Sequence, residues 1–556
     1  MENKNWFKRT FTGRRGRRLK EYLTAYTFIA PASILIFVFG IFPVAFALFV
    51  SLHKWRIRRT DFIHLENYID AVGNLAYVVV FFLGLGALVG AYLLVKKIIE
   101  MIKENDDRPW MSILPGAAFA FSVFAFLNWF YRALPEVLDI ATKLRGMDRT
   151  QRVFIQLLGE ALRSENVLPA WRIFLWSVIG SIILSVIVSR LWRNRRNSSY
   201  QTNFGLTFAA FAAGVGLLYY TFQQVKSAYT VAFEQGTDPG IWPQFITIVS
   251  GVILLFFAWY LWSRADKVRT NGNFWVHIIA ALLLLVGGWL LIGEIPTIVA
   301  SGDKDLWEGL KVTVFFSLGT VPFQLIIALF LSVLLFQKVP GSNFFRIVYF
   351  IPYVTPGIAS AAVFQQMFSN RQSAPVNMLF RILGLEPQQW LYEPKGILTL
   401  LGEFLGWNIP GWAAGPSLAL CVIMLHSIWT YVGYDTVIYL AGLGNISKEL
   451  NDQAEVDGAN GWQVFRHITF PLLSPTTYFL SLIAIIGTFK AFNTIWILRS
   501  NLALGTTDTF SVTIFIEFFE KLRYGYASAL SFVLFAIILI LTFINNKTQG
   551  KKVFYG

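Results

Sequence analysis

The sequence predicts an all-α polytopic membrane protein with about 12 transmembrane helices, and three observations carry that expectation. Of the 556 residues, 55% are hydrophobic and only 14% charged. The mean hydropathy of +0.55 is far above what a water-facing surface tolerates. Apolar stretches of about 20 residues, the helical length that crosses about 30 Å of hydrocarbon, recur along the chain. Tryptophan and tyrosine gather at their ends, as at Trp259, Tyr260 and Trp262, where amphipathic rings anchor in the membrane interface.

In order, the expected spans are 27–52, 76–98, 111–131, 172–192, 204–223, 242–263, 274–293, 311–336, 344–368, 416–441, 473–498 and 525–545. The first is too long for a signal-peptide core and lacks a small-residue cleavage site, so it reads as a retained anchor. Basic residues mark the cytoplasmic side of a membrane protein. With both termini cytoplasmic, "KRTFTGRRGRRLK", "RLWRNRRN" (190–197), "RADKVR" (264–269) and "KTQGKK" (547–552) all fall on that side. The short "KWRIRR" (54–59) opposes this arrangement, as does the 132–171 loop, where acids and bases mix. The net charge of +15 is therefore read as membrane orientation, with no nucleic-acid partner.

Soluble enzyme chemistry has little support. The one cysteine, Cys421, falls inside a span, which excludes an intrachain disulfide and a CxxC metal site. The five histidines form no HExxH, and no GxSxG elbow occurs. No GxxxxGK[ST] loop is present, so this chain is expected to hold no cofactor and no nucleotide of its own.

Polar residues cluster late in the chain, at 446–471, within "NISKELNDQAEVDGANGWQVFRHITFPLLSP". Ser447 is placed to cap a helix on which Leu450 and Ala454 share a face, and Gly458 ends it. Asn460 is placed to cap a second helix, with Trp462, Phe465 and Ile468 at near-helical spacing and Pro471 at its handover to the next span. Two readings stay open by pattern alone: a helix–Gly–helix hairpin offering an apolar face to a partner, or a connecting loop with a solvated face.

Two ions, Asp435 and Lys490, fall inside predicted spans, where a charge costs on the order of 3 kcal/mol unless paired or wet. They read either as an ion pair pinning two helices or as part of a solute path. Tyr431, Tyr434, Phe492 and Asn493 lie nearby in sequence, and amides, phenols and aromatic faces suit a sugar. His426 and His467 are expected to be satisfied by local hydrogen bonds.

The polar island resembles the coupling loop of permease subunits in binding-protein-dependent ABC importers, with the signature E-A-A, three residues, G, nine residues, I, any residue, L-P. Asp452, Gln453 and Ala454 stand at the E-A-A positions, then Gly458, Ile468 and Pro471, with Asp, Gln and Phe470 replacing Glu, Ala and Leu. "FIAPASILIFVFGIFPVAFALFVSL" (28–52), "LENYIDAV" (65–72), "FFRIVYFIPYVTPGIASAAVFQQMFS" (344–369), "VGYDTVIYLAGL" (432–443) and "FKAFNTIWIL" (489–498) are similar to the carbohydrate, maltose-type branch of that family.

The resemblance implies a type I ABC importer permease: residues 1–72 with the first core span, an inserted six-helix module at 73–300, and the remaining core with its coupling loop at 301–556. An even number of inserted spans keeps the coupling loop cytoplasmic. The insert reads as a docking module or as a bundle adding lipid-facing mass.

The resemblance further implies a second, different permease chain, two ATPase copies that bind ATP and Mg, and an extracytoplasmic sugar-binding protein that addresses loops 369–415 and 499–523. All would assemble in a bacterial inner membrane. Glu449 and Asp452 would lie near basic groups of an ATPase, with Trp462 and Phe465 buried in its cleft. Alternatives are a permease for a non-sugar solute, a secondary transporter, which requires internal repeats the sequence lacks, and a membrane glycosyltransferase, which requires a paired-acid site.

Overall fold

A chain in hydrocarbon has no water to satisfy its backbone, so each apolar run folds as a helix. A computed structural model describes residues 14–56, 59–145, 147, 150–192, 196–265, 273–337 and 340–548. Each basic segment used above to orient the chain lies partly outside these residues. Among the described residues, ten helices are long and apolar enough to cross a membrane, and two further pairs are bent by 92° and 60°, giving 12 spans if each bent pair counts as one.

The chain divides into two compact units, Met1–Gly73 with Pro296–Gly556, and Asn74–Ile295. In the first, α1 (Lys20–Ser51) is followed by a short antiparallel hairpin, β1 (His53–Trp55) and β2 (Arg59–Phe62), which the hydropathy pattern did not announce. Helix α2 (Glu66–Val72) is pinned beneath it, because the buried Asn67 amide donates to the carbonyls of Ser51 and His53 at 2.8 and 3.1 Å.

The second unit holds α3 (Leu75–Asn105), α4 (Ile113–Lys143), α5 (Gln151–Leu162), α6 (Val167–Leu191), α7 (Asn197–Glu234), α8 (Ile241–Ala265) and most of α9 (Asn273–Ser301). Small residues let these helices approach closely. A β-carbon at Gly214 of α7 would come within 2.9 Å of the Gly84 carbonyl of α3, and one at Gly116 of α4 within 2.9 Å of the Gly205 nitrogen. Several helices overrun their predicted limits, α4 by a dozen residues, since a helix started in lipid continues in water where no breaker stops it. The expected 132–171 loop is thus mostly helical, with α5 capped by Thr150, whose hydroxyl accepts from Val153 N–H.

The first unit resumes with α10 (Lys304–Phe336), α11 (Ser342–Val354), α12 (Gly357–Met367), α13 (Pro375–Ile382), α14 (Ile397–Leu405) and α15 (Leu418–Gly444). It continues with α16 (Lys448–Val456), α17 (Gly461–Leu472), α18 (Ser474–Phe489), α19 (Asn493–Leu498), α20 (Phe510–Phe515) and α21 (Tyr524–Thr548). Helices α10 and α15 pack along their lengths around Phe316, Leu420, Ile423 and Met424, and a second cluster gathers Ala328, Tyr439, Leu443, Leu473 and Leu480.

Two predicted spans are not continuous. The 344–368 stretch breaks by 92° between α11 and α12, where Pro356 offers no N–H and forces Thr355 into extended geometry at ψ 135°. The 473–498 stretch ends at Phe489 and resumes only at Asn493.

Candidate functional site

Both interruptions border one cavity of about 580 Å³, walled by α10, α11, α12, α15, α18 and α19. Non-helical backbone persists at membrane depth only where protein buries it or water bathes it. Thr355, Gly357, Lys490 and Ala491, at the breaks, line the cavity wall.

Tyr431, Tyr434, Asp435, Lys490, Phe492 and Asn493 all line this cavity. Their details differ from the sequence reading. Lys490 stands at the C-terminal end of α18 and not mid-helix, exposed at the break. It forms no ion pair with Asp435. The buried Asp435 carboxylate instead accepts from the buried Gln324 amide of α10 at 3.0 Å. Phe492 is not free to stack on a ligand with both faces, since it packs against Trp496 and Phe515 at ring centroid distances of 5.6 and 4.6 Å.

Sequence reasoning missed Gln324, Tyr353, Thr355 and Thr430, which share the wall. Tyr353 stacks on Tyr434 at 4.6 Å, an aromatic pair that only the fold of α11 against α15 creates. The one available signal was proline: Pro352 and Pro356 inside an apolar run mark a broken helix.

His426 is satisfied on one side only, and by a distant residue. Its Nε2 meets Ser360 Oγ of α12 at 3.0 Å, while Nδ1 is buried without a partner. His467 is satisfied locally, with Nδ1 3.0 Å from the Gln463 carbonyl.

Close approach of α11 to α15 depends on Gly433, where a β-carbon would overlap the carbonyl of Tyr349. We expect Gly433→Val to destabilise the chain by about 2–3 kcal/mol, the upper part of the overpacking range. Gly444→Ala, with open space around it, should leave the thermal midpoint of the solubilised protein nearly unchanged.

The polar island folds as a helix, a glycine turn and a helix. Ser447 has cap dihedrals (φ −60°, ψ 130°), but its side chain makes no cap hydrogen bond, contrary to expectation. At the other end of α16, Gly458 adopts φ +83°, donating its N–H to the Glu455 carbonyl, and Ala459 N–H reaches the Ala454 carbonyl. That left-handed turn is glycine's ordinary role past a helix end. Asn460 then builds a capping box with Gln463: Gln463 N–H donates to Asn460 Oδ1 at 2.9 Å, and Asn460 N–H to Gln463 Oε1 at 2.8 Å.

Helix α17 contains a π turn at Phe465–Thr469, ahead of Pro471, whose missing N–H would otherwise interrupt the ladder. The break into α18 falls at Leu473, two residues beyond Pro471. Trp462 stacks on Phe465 at 5.6 Å and is 66% exposed. Glu449, Asp452 and Gln453 are exposed, with Ala454, Phe465, Ile468 and Pro471 half-buried.

The base of this hairpin is firmly held. Leu473 is fully buried, Tyr439 O–H meets Thr477 Oγ1 at 3.2 Å, and Gly442 lets α15 lie against Thr476 of α18.

The family model described as binding-protein-dependent transport system inner membrane component matches residues 320–548, which include the hairpin and most of the cavity wall. The chain is similar to the probable ABC transporter permease protein YesP of Bacillus subtilis (strain 168), with 31% identity over 258 residues, covering 46% of this chain and 76% of that protein. It is also similar to the arabinooligosaccharides transport system permease protein AraP of the same bacterium, at 30% identity over 248 residues, 44% of this chain and 71% of that protein. A solved bacterial ABC transporter involved in the import of the acidic polysaccharide alginate is similar at 20% identity and a TM-score of 0.39, covering 45% of this chain and 80% of that one.

Proposed function

The chain belongs to the binding-protein-dependent transport system inner membrane components, as a multi-pass permease of a carbohydrate ABC importer, and from that premise we propose how it moves its solute. The solute is an oligosaccharide, of maltose or maltodextrin kind, and it passes through the cavity at the broken spans. Tyr353, Tyr431 and Tyr434 offer aromatic faces and hydroxyls, while Asn493 and Lys490 offer donors to sugar oxygens. A wall with so few charges and so many hydroxyl and amide groups favours a sugar over a hydrophobic solute.

The observation that carries the proposal is connectivity. Helix α15, which bears Tyr431, Tyr434 and Asp435, runs into α16 after a short turn, and α17 bends directly into α18, which ends at Lys490. The hairpin's two ends are therefore the cytoplasmic ends of two cavity walls. A separate ATPase gripping the hairpin through Glu449, Asp452, Trp462 and Phe465 would turn both walls together when ATP draws the ATPase pair closed. The bonded base at Leu473, Tyr439 and Thr477 makes hairpin and walls one lever. The outcome is alternating access.

A second permease chain completes the path, and an extracytoplasmic sugar-binding protein delivers the solute to the outer loops. ATP and Mg belong to the ATPase. The reading as a permease for another solute class predicts the same lever with a differently lined cavity.

Uptake into proteoliposomes holding the complete transporter and its binding protein tests the path. Tyr434→Ala and Asn493→Leu should each lower uptake about five- to tenfold, since one hydrogen bond or stacking contact is worth roughly 1–1.5 kcal/mol. Assembly with the ATPase should be unaltered. Unchanged uptake in both variants removes them from the path.

A further inference from the structure

We propose that residues 397–413 form an interfacial anchor seated in the headgroup layer of the bilayer beside the start of α15. Helix α14 has nine residues, about 14 Å of length, and so cannot cross the hydrocarbon. Leu398, Leu401, Phe404 and Leu405 recur along one side of it and are all exposed, Phe404 at 79%. Trp407 and Trp412 extend the apolar surface, Trp412 at 90% exposure. The charges of this segment are elsewhere: Glu403 is paired with Lys395 at 2.8 Å.

The backbone fixes where this surface lies. Ile397 N–H donates to the Pro416 carbonyl at 2.9 Å, Leu398 N–H to the Ala414 carbonyl at 3.1 Å, and Leu418 N–H to the Lys395 carbonyl at 3.0 Å. The start of the segment is thus strapped to residues 414–418, which lead into the first turn of a membrane span. Gly406 and Gly415, each at φ +73°, let the chain fold back on itself.

Helix α15 has 27 residues, about 40 Å, roughly 10 Å more than the hydrocarbon thickness. Its first turn therefore sits within about one turn of the hydrocarbon edge. An apolar ridge tied there is continuous with the membrane boundary. A row of leucine, phenylalanine and tryptophan with its charges directed away is what the headgroup layer accommodates. The anchor would hold the outer mouth of the cavity wall at a fixed depth while α15 turns.

Because Cys421 is the sole cysteine of the chain, a Cys421→Ser background permits single spin labels in the full-length protein. Phe404→Cys, Trp412→Cys and Lys395→Cys would be labelled in lipid nanodiscs, with collision rates measured for oxygen and a water-soluble nickel chelate. Labels at 404 and 412 should meet oxygen several-fold more than nickel, and the label at 395 the reverse. Nickel access at all three positions overturns the anchor.

Shielding of 404 and 412 from both reagents also overturns it, since a protein partner or second copy would then cover the face. With native backbone and no label, quenching of tryptophan fluorescence by brominated lipid should fall in Trp407→Phe/Trp412→Phe. Equal quenching sinks the proposal too. None of these measurements depends on transport.

Discussion

Gly458→Pro is expected to abolish association with the ATPase while leaving the chain inserted in the membrane at its normal level. Proline fixes φ near −65°, and Gly458 stands at +83°. The substitution also removes the N–H that Gly458 donates to the Glu455 carbonyl. The turn between α16 and α17 cannot then form, and the exposed side chains at Glu449, Asp452 and Trp462 lose their common orientation. No atom lies within 4 Å of a β-carbon built at Gly458, so crowding is not the cause and the effect comes from the backbone angle and the lost N–H.

That distinction sets the controls. Gly458→Asn, which tolerates the left-handed region, should retain much of the association, and Gly458→Ala should lose about 1–2 kcal/mol of hairpin stability. Replacing Glu449 and Asp452 together by Lys keeps the turn and should still abolish binding by reversing the charge. The measurement is co-purification of the ATPase with tagged permease. Normal stoichiometry in Gly458→Pro would remove the hairpin from the coupling role.

The second large effect is expected at Glu517→Ala, which should lower stability by about 3 kcal/mol. The Glu517 side chain is 1% exposed and accepts from two cations, Lys521 Nζ at 2.8 Å and Arg523 Nη1 at 3.2 Å. Hydrogen bonds to ions are worth roughly 1.5–3 kcal/mol each. Lys521 is 45% and Arg523 32% exposed, so both regain some hydration, which holds the total near the lower end.

More than one residue depends on this carboxylate. It sits on a π turn, Ile516–Glu520, whose next residues lead into α21; Arg523 also covers the Tyr526 ring, and Tyr526 donates to Asp303 at the head of α10. Removing Glu517 should therefore loosen the start of α21 and the 499–523 loop together. Thermal unfolding and hydrogen exchange over residues 510–530 would read this. Glu517→Gln, which keeps the shape and one acceptor, should fall between. Equal stability of the alanine variant would show that Lys521 and Arg523 are held by other groups, Asp305 first among them.

Much of the architecture was legible because the bilayer leaves few choices. Ten of the predicted spans are helical through nearly their whole length and the other two are helical on either side of a break, since a run of twenty apolar residues has no other low-energy form in lipid. The hairpin's helices were legible for another reason: Gly458 and Asn460 are local signals, acting within one or two turns of chain.

The cavity was only half legible. Tyr431, Tyr434 and Asn493 could be picked out as polar groups in apolar surroundings, but nothing local pairs Tyr434 with Tyr353, some 80 residues away. Likewise Lys490 was one of two readings for Asp435, as an ion-pair partner, and the carboxylate's partner is Gln324. Helices α10 and α15 lie side by side along their lengths and bring Gln324 to the carboxylate, whereas the helix carrying Lys490 stops and turns the ammonium into open space.

The sequence by itself determined that this chain is a helical membrane protein with a capped polar hairpin between two late spans. Hydrophobic length and local backbone preferences suffice for both. Only the tertiary structure decided where two spans break, which walls the breaks open, and which side chains face one another across the cavity. Those outcomes depend on contacts between residues far apart in the chain, at glycines such as Gly433 where one backbone must lie directly on another.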